Sequence, residues 1–281
     1  MRNLNQTRRS IESAQDLHGL VKTMKAMAAV GLRQFLACAE ASQQYRQVLE
    51  AALSVVLPDP VPESPSAAVV AVVFGSDQGL CGPFNESLAT FAAEHLPEPP
   101  HRVIAVGSRL DYPLRARGWQ VDHRLSLPTS VPAITQTTGL LLTLLEQATQ
   151  HRLLLFFHHP LGGARYQPDC LQVLPLDPDW LDSLRKRPWQ ARCLPMFRGD
   201  RPTLTASLVR HWIFLSIYRG LAYSLAAENA ARLASMQVAE KNIQERLDEL
   251  RGEFHSLRQN AITDELLDIV SGFEVIAGEK A

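Results

Sequence analysis

Hydrophobic positions recur with a helical spacing over two long stretches, one at each end of the chain. In the first, residues 3–56, the positions are separated by three, four or their sums, which places them on one face of a helix. They are Ile11, Ala14, Leu17, Val21, Met24, Ala28, Leu32, Phe35, Ala39, Ser42, Leu49, Leu53 and Val56. Gly19 and Gly31 are weak points, each costing roughly 1 kcal/mol relative to Ala. The pattern predicts one helix of about 80 Å at a rise of about 1.5 Å per residue.

The second stretch, residues 203–272, carries the seven-residue repeat of a coiled coil. Only Glu240 breaks its two series, which are Met236, Ile243, Leu250 and Leu257, and Leu233, Leu247, Phe254 and Ala261. A seam of about four heptads needs a partner helix. Both helices are longer than a compact domain is wide, so we expect them to pair with each other as an antiparallel coiled coil. Two separate coiled-coil dimerisation arms are the alternative.

Short apolar runs alternate with helical patterns between the two long helices. Strands are predicted at 67–74, 102–107, 152–159 and 170–176, and helices at 84–96, around 108–118 and at 139–151. This alternation is typical of a doubly wound, mostly parallel α/β domain. All 18 prolines lie from Pro58 to Pro202, which confines helix-breaking residues to this region. The predicted fold is α/β with long helices, an antiparallel coiled coil of N- and C-terminal helices flanking the α/β domain. The predicted domains are 1–57, 67–196 and 203–281.

Composition excludes several classes of protein. The chain has 28 Lys and Arg against 29 Asp and Glu, and this balance gives no basic field for nucleic acid. Its four cysteines stand far apart without a CxxC pair, which is typical of reduced thiols in a cytosolic chain. We expect no secretory signal and no membrane span, since no run of about 18 apolar residues occurs.

The stretch FGSDQGLCGPFN, residues 74–85, follows a predicted buried strand and carries Gly75, Gly79 and Gly82. It lacks the spacing of a Walker A loop or of a dinucleotide-binding fingerprint. No Lys or Arg occurs between residues 67 and 101, and Asp77 would repel a phosphate. Pro83 at a helix start favours a sharp corner between strand and helix. A structural corner is therefore the main interpretation and a nucleotide site the lesser one.

Other candidate chemical groups give no catalytic or metal-binding set. His158 and His159 follow a strand, where neighbouring side chains point to opposite faces, and no metal-ligand spacing accompanies them. His18 and His255 are expected at surface or seam positions. Cys81 is a candidate nucleophile, but a buried, inert side chain is the favoured interpretation. A solvated helix face explains Asp264, Glu265 and Asp268. We expect no catalytic residue, no metal and no cofactor.

Four strings resemble the γ-subunit family of F-type ATP synthases. LRQNAITDELLDIVSGFE, residues 257–274, is similar to the family pattern RQ-x-AIT-x-E-L/I-x-D/E-IV-x-G, and 74–85 includes a string similar to G-S/T-D-R-G-L-C-G-G-L/F-N. Two further patterns of the family are matched by Glu228, Ala231, Arg232, Met236, Ala239 and Asn242, and by Leu4, Arg8, Arg9, Ile11, Ser13, Lys22 and Met24. The resemblance covers both long helices and the first strand, loop and helix of the middle domain.

The chain departs from the family pattern at a few positions. Gln78 stands where Arg is common, Pro83 replaces a second Gly, and Val30 and Gly31 stand where Ser-Lys is usual. These features resemble the divergent γ subunits of the alternative F-type ATPases, which are often sodium-linked.

The resemblance implies a rotor that is not an enzyme by itself. Its expected partners are the α and β subunits of an α3β3 ring, the ε subunit and the membrane c-ring, with one copy per complex. It would couple ion flow through the c-ring to conformational cycling of the catalytic sites. Its expected place is peripheral, on the cytoplasmic face of the cell membrane or of another energy-transducing membrane.

Residue by residue, the resemblance implies partner contacts at Arg258, Gln259 and Thr263, which occupy positions that touch the β subunit. Lys22 and Met24 occupy further contact positions on the N-terminal helix. A solvated face is the alternative for Arg258 and Gln259, and coiled-coil core for Met24. Two other hypotheses remain at this point: an α/β nucleotide-binding enzyme with coiled-coil dimerisation arms, and a coiled-coil adaptor unrelated to ATPases.

Overall fold

Two very long helices enclose the other elements of the chain in sequence. The computed structural model describes residues 4–57, 68–145, 151–186, 193, 196–197 and 199–278, with only the backbone described at 185, 268 and 271–278. Helix α1 is Leu4–Val56 and helix α6 is Arg201–Gly278, so both predicted long helices are confirmed. By its contacts the chain divides into two units, Met1–Met27 with Ser235–Ala281, and Ala28–Ala234.

The first unit contains the predicted seam from Met236 onward. Met236, Leu247 and Leu250 are buried in it, and Ile243, Phe254 and Leu257 are half-buried. Glu240, the polar break in the repeat, forms an ion pair with Lys25 of α1. The hydrogen bond from Lys25 lowers the pKa of Glu240. A charge at a seam position is therefore matched by a charge on the facing helix.

Two positions of the predicted stripes are exposed instead of buried. Leu17 is 54% exposed, and the half-buried neighbour at this turn is His18. Ala261 is exposed as well. The register of the Lys25–Glu240 pair places Ala261 level with Leu4, because Leu4 lies 21 residues before Lys25 and Ala261 lies 21 residues after Glu240. Ala261 is thus at the end of the paired stretch within the described residues, which fits its exposure.

The second unit contains a five-stranded sheet in the order β3-β2-β1-β4-β5. Its strands are β1 Val69–Phe74, β2 Arg102–Val106, β3 His123–Leu125, β4 Arg152–Gly162 and β5 Arg165–Leu174. The pairs β1–β2, β1–β4 and β2–β3 are parallel, and β4–β5 is antiparallel. The prediction of a mostly parallel sheet is confirmed. The short strand β3 was not anticipated, and Ala67 of the first predicted strand lies outside the described residues.

Shorter helices connect the strands of this unit. They are α2 Phe84–His95, a single 3₁₀ turn Ser108–Leu110, α3 Asp111–Arg115, α4 Val131–Leu145 and α5 Pro178–Arg185. Helix α4 begins eight residues before the predicted start at Gly139, and residues 146–150 of that prediction lie outside the described residues. Helix α5 was not predicted. Asp177 caps it by accepting a hydrogen bond from the Asp179 N–H at 3.0 Å, as is common at helix starts.

Alternate side chains of the central strands enter two different cores. One core joins Val70, Val72, Phe74, Ile104, Leu155 and Phe157 to residues of α1, α4 and α6. The other joins Ala71, Val73, Val103, Ala105, Leu154 and Phe156 to residues of α2 and α3. Covering both faces explains why these strands are almost continuously apolar. It also confirms the doubly wound arrangement.

Helices α1 and α6 also pair in an antiparallel sense within the second unit. Cys38 Sγ lies 2.7 Å from the Tyr218 hydroxyl, and the Tyr45 hydroxyl lies 3.0 Å from His211 Nδ1. Arg201 donates to the Val56 carbonyl at 2.9 Å. Contacts further along α1 are thus made with residues earlier in α6, as in an antiparallel pair. This contradicts the alternative of two separate arms.

Gly31 of α1 packs closely against Asn229 of α6 in this unit. A Cβ atom at this position would lie 2.7 Å from Asn229 Oδ1. Asn229 is itself held by a hydrogen bond from its Nδ2 to the Leu225 carbonyl at 2.8 Å. At Gly19, by contrast, a Cβ atom would meet nothing within 4 Å. Packing therefore disfavours a side chain at Gly31 but not at Gly19.

Candidate functional site

The glycine-rich stretch after β1 forms a tight corner against the start of α2. A Cβ atom at Gly75 would lie 2.3 Å from the Leu110 side chain and 2.6 Å from Asn85 Oδ1. Asn85 accepts a hydrogen bond from the Ser76 N–H at 2.9 Å and donates to Ser76 Oγ at 2.8 Å. Gly75 is therefore needed for the close approach of the chain, as the interpretation of a structural corner requires.

Asp77 connects the carboxyl ends of neighbouring strands. One carboxylate oxygen accepts from the Ser108 N–H at 2.7 Å, and the other accepts from the Leu127 N–H at 2.8 Å. Ser108 follows β2 and Leu127 follows β3. In a phosphate cradle such backbone N–H groups would face the ligand. Here a carboxylate of the same chain already binds them, which is a structural role that sequence reasoning missed.

Cys81 and His158 lie beside this corner and are both buried. Cys81 is 2% exposed and His158 is fully buried. Burial raises the pKa of the Cys81 thiol and lowers the pKa of His158. His158 Nε2 lies 2.8 Å from the Phe84 carbonyl, and its ring packs against Phe84 and Tyr166. A neutral thiol and a neutral imidazole in such surroundings stabilise the core.

His159 faces the opposite side of the strand. Its ring lies 4.5 Å from that of Tyr223 on α6, which confirms that the adjacent histidines diverge. His18 is half-buried and His255 is exposed. Among the described residues, no group of three His, Cys, Asp or Glu is placed to hold a metal ion.

The C-terminal end of α6 is an exposed surface of mixed character. Arg258, Gln259 and Thr263 are all exposed there, and the Thr263 hydroxyl donates to the Gln259 carbonyl at 2.9 Å. The same turns carry five large apolar side chains that are about half exposed or more, namely Ile262, Leu266, Leu267, Ile269 and Val270. Asp264 and Glu265 are exposed, as expected, and the side chain of Asp268 lies outside the described residues.

Spacing along α6 sorts this surface into faces. Gln259, Thr263, Leu266 and Val270 follow one another at intervals of four, three and four residues, so they share a face. A large exposed apolar surface on a soluble helix marks an interaction site. We name the exposed residues 258–270 the α6 end surface.

A second exposed apolar stripe runs along α1 in the first unit. Leu17, Leu20 and Met27 are 54%, 60% and 69% exposed, and Met24 is half-buried between them. Their spacing of three, four and three residues places them on one face of the helix. Lys22 is exposed but off this stripe. Sequence reasoning assigned Leu17 to the hydrophobic face of the first helix and did not recognise this exposed stripe as a surface. The three-four spacing of the stripe was the signal that could have revealed it.

Within the part of the chain that the structure describes, no helix combines the length and the apolar character needed to cross a membrane.

Comparison with known proteins places the chain among the ATP synthases. The protein-family model described as ATP synthase matches residues 3–276. An ATP synthase gamma chain from Desulforudis audaxviator is 26% identical over 288 residues, covering 96% of this chain and 97% of that one. The gamma chain from Syntrophobacter fumaroxidans is also 26% identical, covering 98% of this chain and 99% of that one.

Solved structures share the fold. A chain from the cryo-EM structure of the Euglena gracilis mitochondrial ATP synthase comprising OSCP, F1 and c-ring has a TM-score of 0.69 at 19% identity and covers 99% of this chain and 96% of that one. A chain of the rotor of the same synthase has a TM-score of 0.64 at 17% identity, covering 92% and 98%. The match of the family model over nearly the whole length shows that this chain belongs to the ATP synthase family, in which its curated relatives are gamma chains.

Proposed function

We propose that the chain is the non-catalytic central-stalk rotor subunit of an F-type ATP synthase. It couples ion flow through a membrane c-ring to conformational cycling of the catalytic sites in an α3β3 ring. It acts as one copy per complex, with an ε subunit as a further partner and no cofactor of its own. It lies peripherally on the cytoplasmic face of the cell membrane or of another energy-transducing membrane. The segments 1–57, 67–196 and 203–281 are its three functional parts.

The observation that carries this proposal is the α6 end surface in a chain of this family. Side chains such as Leu266 and Leu267 are more than half exposed over the described residues, and burying them against partners would stabilise a complex. Apolar burial contributes about 25 cal/mol per Å². A helix end of this composition therefore favours an apolar partner surface.

Polar groups on the same surface would give the contact its specificity. We propose that Arg258, Gln259 and Thr263 contact the β subunits, and that Lys22 and Met24 make contacts from α1. Met24 is half-buried between the exposed apolar side chains of α1, so it is accessible to a partner as well as to the coiled-coil core. A rotor whose orientation alters these contacts changes the relative stability of the partner conformations, and this is the physical meaning of coupling.

Co-expression with the cognate α and β subunits tests the proposal. The full chain should assemble with them and sustain their ATPase activity, whereas the isolated chain should hydrolyse no ATP. Leu266→Asp should weaken assembly, and Leu140→Asp is the matched control, since Leu140 is 59% exposed on α4. Equal assembly by both variants, or failure of the unaltered chain to assemble, would contradict the proposal.

The polar contacts have their own matched pair of variants. Arg258→Ala should lower the ATPase activity of the complex, because the β subunits would lose a contact with the Arg258 guanidinium. Arg251→Ala is the control, since Arg251 is exposed on the same helix and pairs with Asp248 at 3.3 Å. If the two variants retain the same activity, a solvated face is the better description of Arg258.

A further inference from the structure

A cavity of about 700 Å³ lies in the second unit, between β5 and the helices that cover this face of the sheet. We name it the β5–α6 cavity. It is lined from the sheet by Phe157, His159 and residues 169–173, from α6 by Trp212, Arg219 and Tyr223 among others, and from α5 by Trp180. Its volume falls within the range of about 300–1,000 Å³ that small-molecule sites occupy.

Flat rings form much of the cavity wall. The rings of Trp180 and Trp212 are centred 4.5 Å apart. Phe157 and Tyr223 are nearly parallel, with an interplanar angle of 13° and centroids 6.4 Å apart. Aromatic walls favour a flat apolar ligand, because rings pack against one another in stacked or edge-on arrangements.

Two hydrogen-bond donors in the wall lack an acceptor. Trp212 is 7% exposed, and its Nε1 has no hydrogen-bond partner among the described residues. Arg219 Nε is likewise buried and without an acceptor in that part of the chain. A buried donor without a partner is unfavourable because it has lost its hydrogen bonds to water, and such a group calls for a specific explanation. Two of them in one cavity indicate a ligand that brings an acceptor.

The charges around the cavity indicate the sign of that ligand. Arg219 donates to the Tyr223 hydroxyl at 3.3 Å, and its guanidinium lies 5.7 Å from the centre of the Tyr223 ring. No carboxylate of the described residues pairs with Arg219. Arg46, the other arginine of the wall, is bound to Glu50 at 2.7 Å. Arg219 therefore has no carboxylate partner in the described part of the chain, which favours an anion at its guanidinium group.

The wall also carries two carboxylates, which belong to elements other than α6. Asp169 accepts from the Cys170 N–H at 2.8 Å, and Asp177 accepts from the Asp179 N–H at 3.0 Å. Each therefore uses one oxygen on its own backbone. They belong to β5 and to the start of α5, so the negative and positive groups come from different elements of the wall.

We propose that the β5–α6 cavity binds a small aromatic carboxylate. Its ring lies against the aromatic side chains, and its carboxylate accepts hydrogen bonds from Arg219 Nε and Trp212 Nε1. Guanidinium and carboxylate form the stronger, charge-assisted kind of hydrogen bond. The site goes beyond the rotor role and does not depend on it, since every residue that forms it lies within the second unit.

Calorimetric titration of the isolated full chain tests the proposal with two probes of the same ring. The probes are 2-naphthoate and its neutral counterpart 2-naphthamide. We expect the carboxylate to bind about tenfold or more tightly than the amide, because hydrogen bonds to a charged group are stronger than those to a neutral one. Arg219→Gln should abolish this preference. Trp212→Phe, which keeps a ring but removes the N–H, should reduce it.

The control is Lys241→Gln, an exposed cation on the same helix that pairs with Glu245 at 3.7 Å. It should leave both affinities unchanged, and circular dichroism should show the same helix content in all variants. Equal binding of the two probes, no binding of naphthoate at millimolar concentration, or an equal loss of affinity in Lys241→Gln would each overturn the proposal.

Discussion

Replacing Asp77 removes the carboxylate that joins three strand ends, and the effect can be worked out from two hydrogen bonds. In the native chain Asp77 accepts from the Ser108 N–H at 2.7 Å and the Leu127 N–H at 2.8 Å. Hydrogen bonds to charged groups contribute about 1.5–3 kcal/mol each. Asp77 is only half-buried, so water replaces part of both bonds. We expect Asp77→Ala to lower the free energy of local opening by about 2–4 kcal/mol.

Native-state hydrogen exchange measures this quantity at the two amides themselves. A loss of about 2–4 kcal/mol corresponds to exchange faster by a factor of roughly 30 to 1,000, at about 1.4 kcal/mol per tenfold. Asp77→Asn keeps an acceptor oxygen but turns an NH₂ group toward one donor, so its effect should lie between those of Asp77→Ala and the native chain.

Gln78→Ala is the matched control, because Gln78 is exposed and only its backbone carbonyl takes part in the corner. It should leave exchange at Ser108 and Leu127 nearly unchanged. If Asp77→Ala left both amides as protected as in the native chain, the corner would not depend on this carboxylate. Tight ATP binding by the Asp77→Ala variant alone would restore the nucleotide-site interpretation.

Three further predictions concern the helices and the thiols. Gly19→Ala should raise the free energy of unfolding by about 0.5–1 kcal/mol through helix propensity. Gly31→Ala should raise it less, because the new Cβ would lie 2.7 Å from Asn229 Oδ1. Urea unfolding measures both changes. Glu240→Gln should lower the free energy of unfolding at neutral pH. The difference from the native chain should vanish as the pH falls through the pKa of Glu240, which lies below its ordinary value of 4.5. Unfolding curves at several pH values measure this. Iodoacetamide should alkylate exposed Cys193 well before Cys170, whose pKa burial raises to about 12, as mass spectrometry would show.

Each of these three has a result that would contradict it. Equal gains from the two glycine substitutions would mean that Asn229 moves aside freely, and the gain of Gly31→Ala should rise when Asn229→Ala is added. The pH dependence for Glu240 follows from its lowered pKa in the folded chain. Its ion pair stabilises the fold fully above the ordinary pKa of the carboxyl group and no longer does so once the pH falls below the folded-state pKa. A Glu240→Gln defect that persists in acid would contradict an ionic origin. Alkylation of Cys170 as fast as Cys193 would contradict the third prediction, and alkylation of Cys81 at that rate would favour its role as a nucleophile.

The long helices and the central strands could be predicted from sequence because their signals are local and repeated. A stripe sustained over fifty residues identifies a helix even where single positions such as Leu17 are misassigned. The strands β1, β2 and β4 are apolar on both faces and begin within two residues of the predicted starts. Strand β3, with only three residues, of which the two end residues are half-buried and the middle one is exposed, carries too little pattern to be recognised.

Candidate sites were harder to predict because they depend on contacts between distant residues. Asp77 was recognised only as a charge unsuited to phosphate, since nothing near it in sequence shows that Ser108 and Leu127 would lie within reach. The β5–α6 cavity likewise joins Trp180 and Trp212 through folding alone. The partner-contact assignments at Lys22, Met24, Arg258, Gln259 and Thr263 came from resemblance and stay predictions.

Because one face of the sheet is covered by α1 and α6, the middle of the sequence does not have a complete core of its own. Phe74 lies 3.2 Å from where a Cβ of Gly220 would stand, and Ser224 Oγ donates to the Phe74 carbonyl at 2.8 Å. In the second unit, α6 therefore contacts the side chains and backbone of the sheet directly, so a displacement of this helix would shift the sheet core with it. The packing that folds this unit would be the same packing that resists slippage under load.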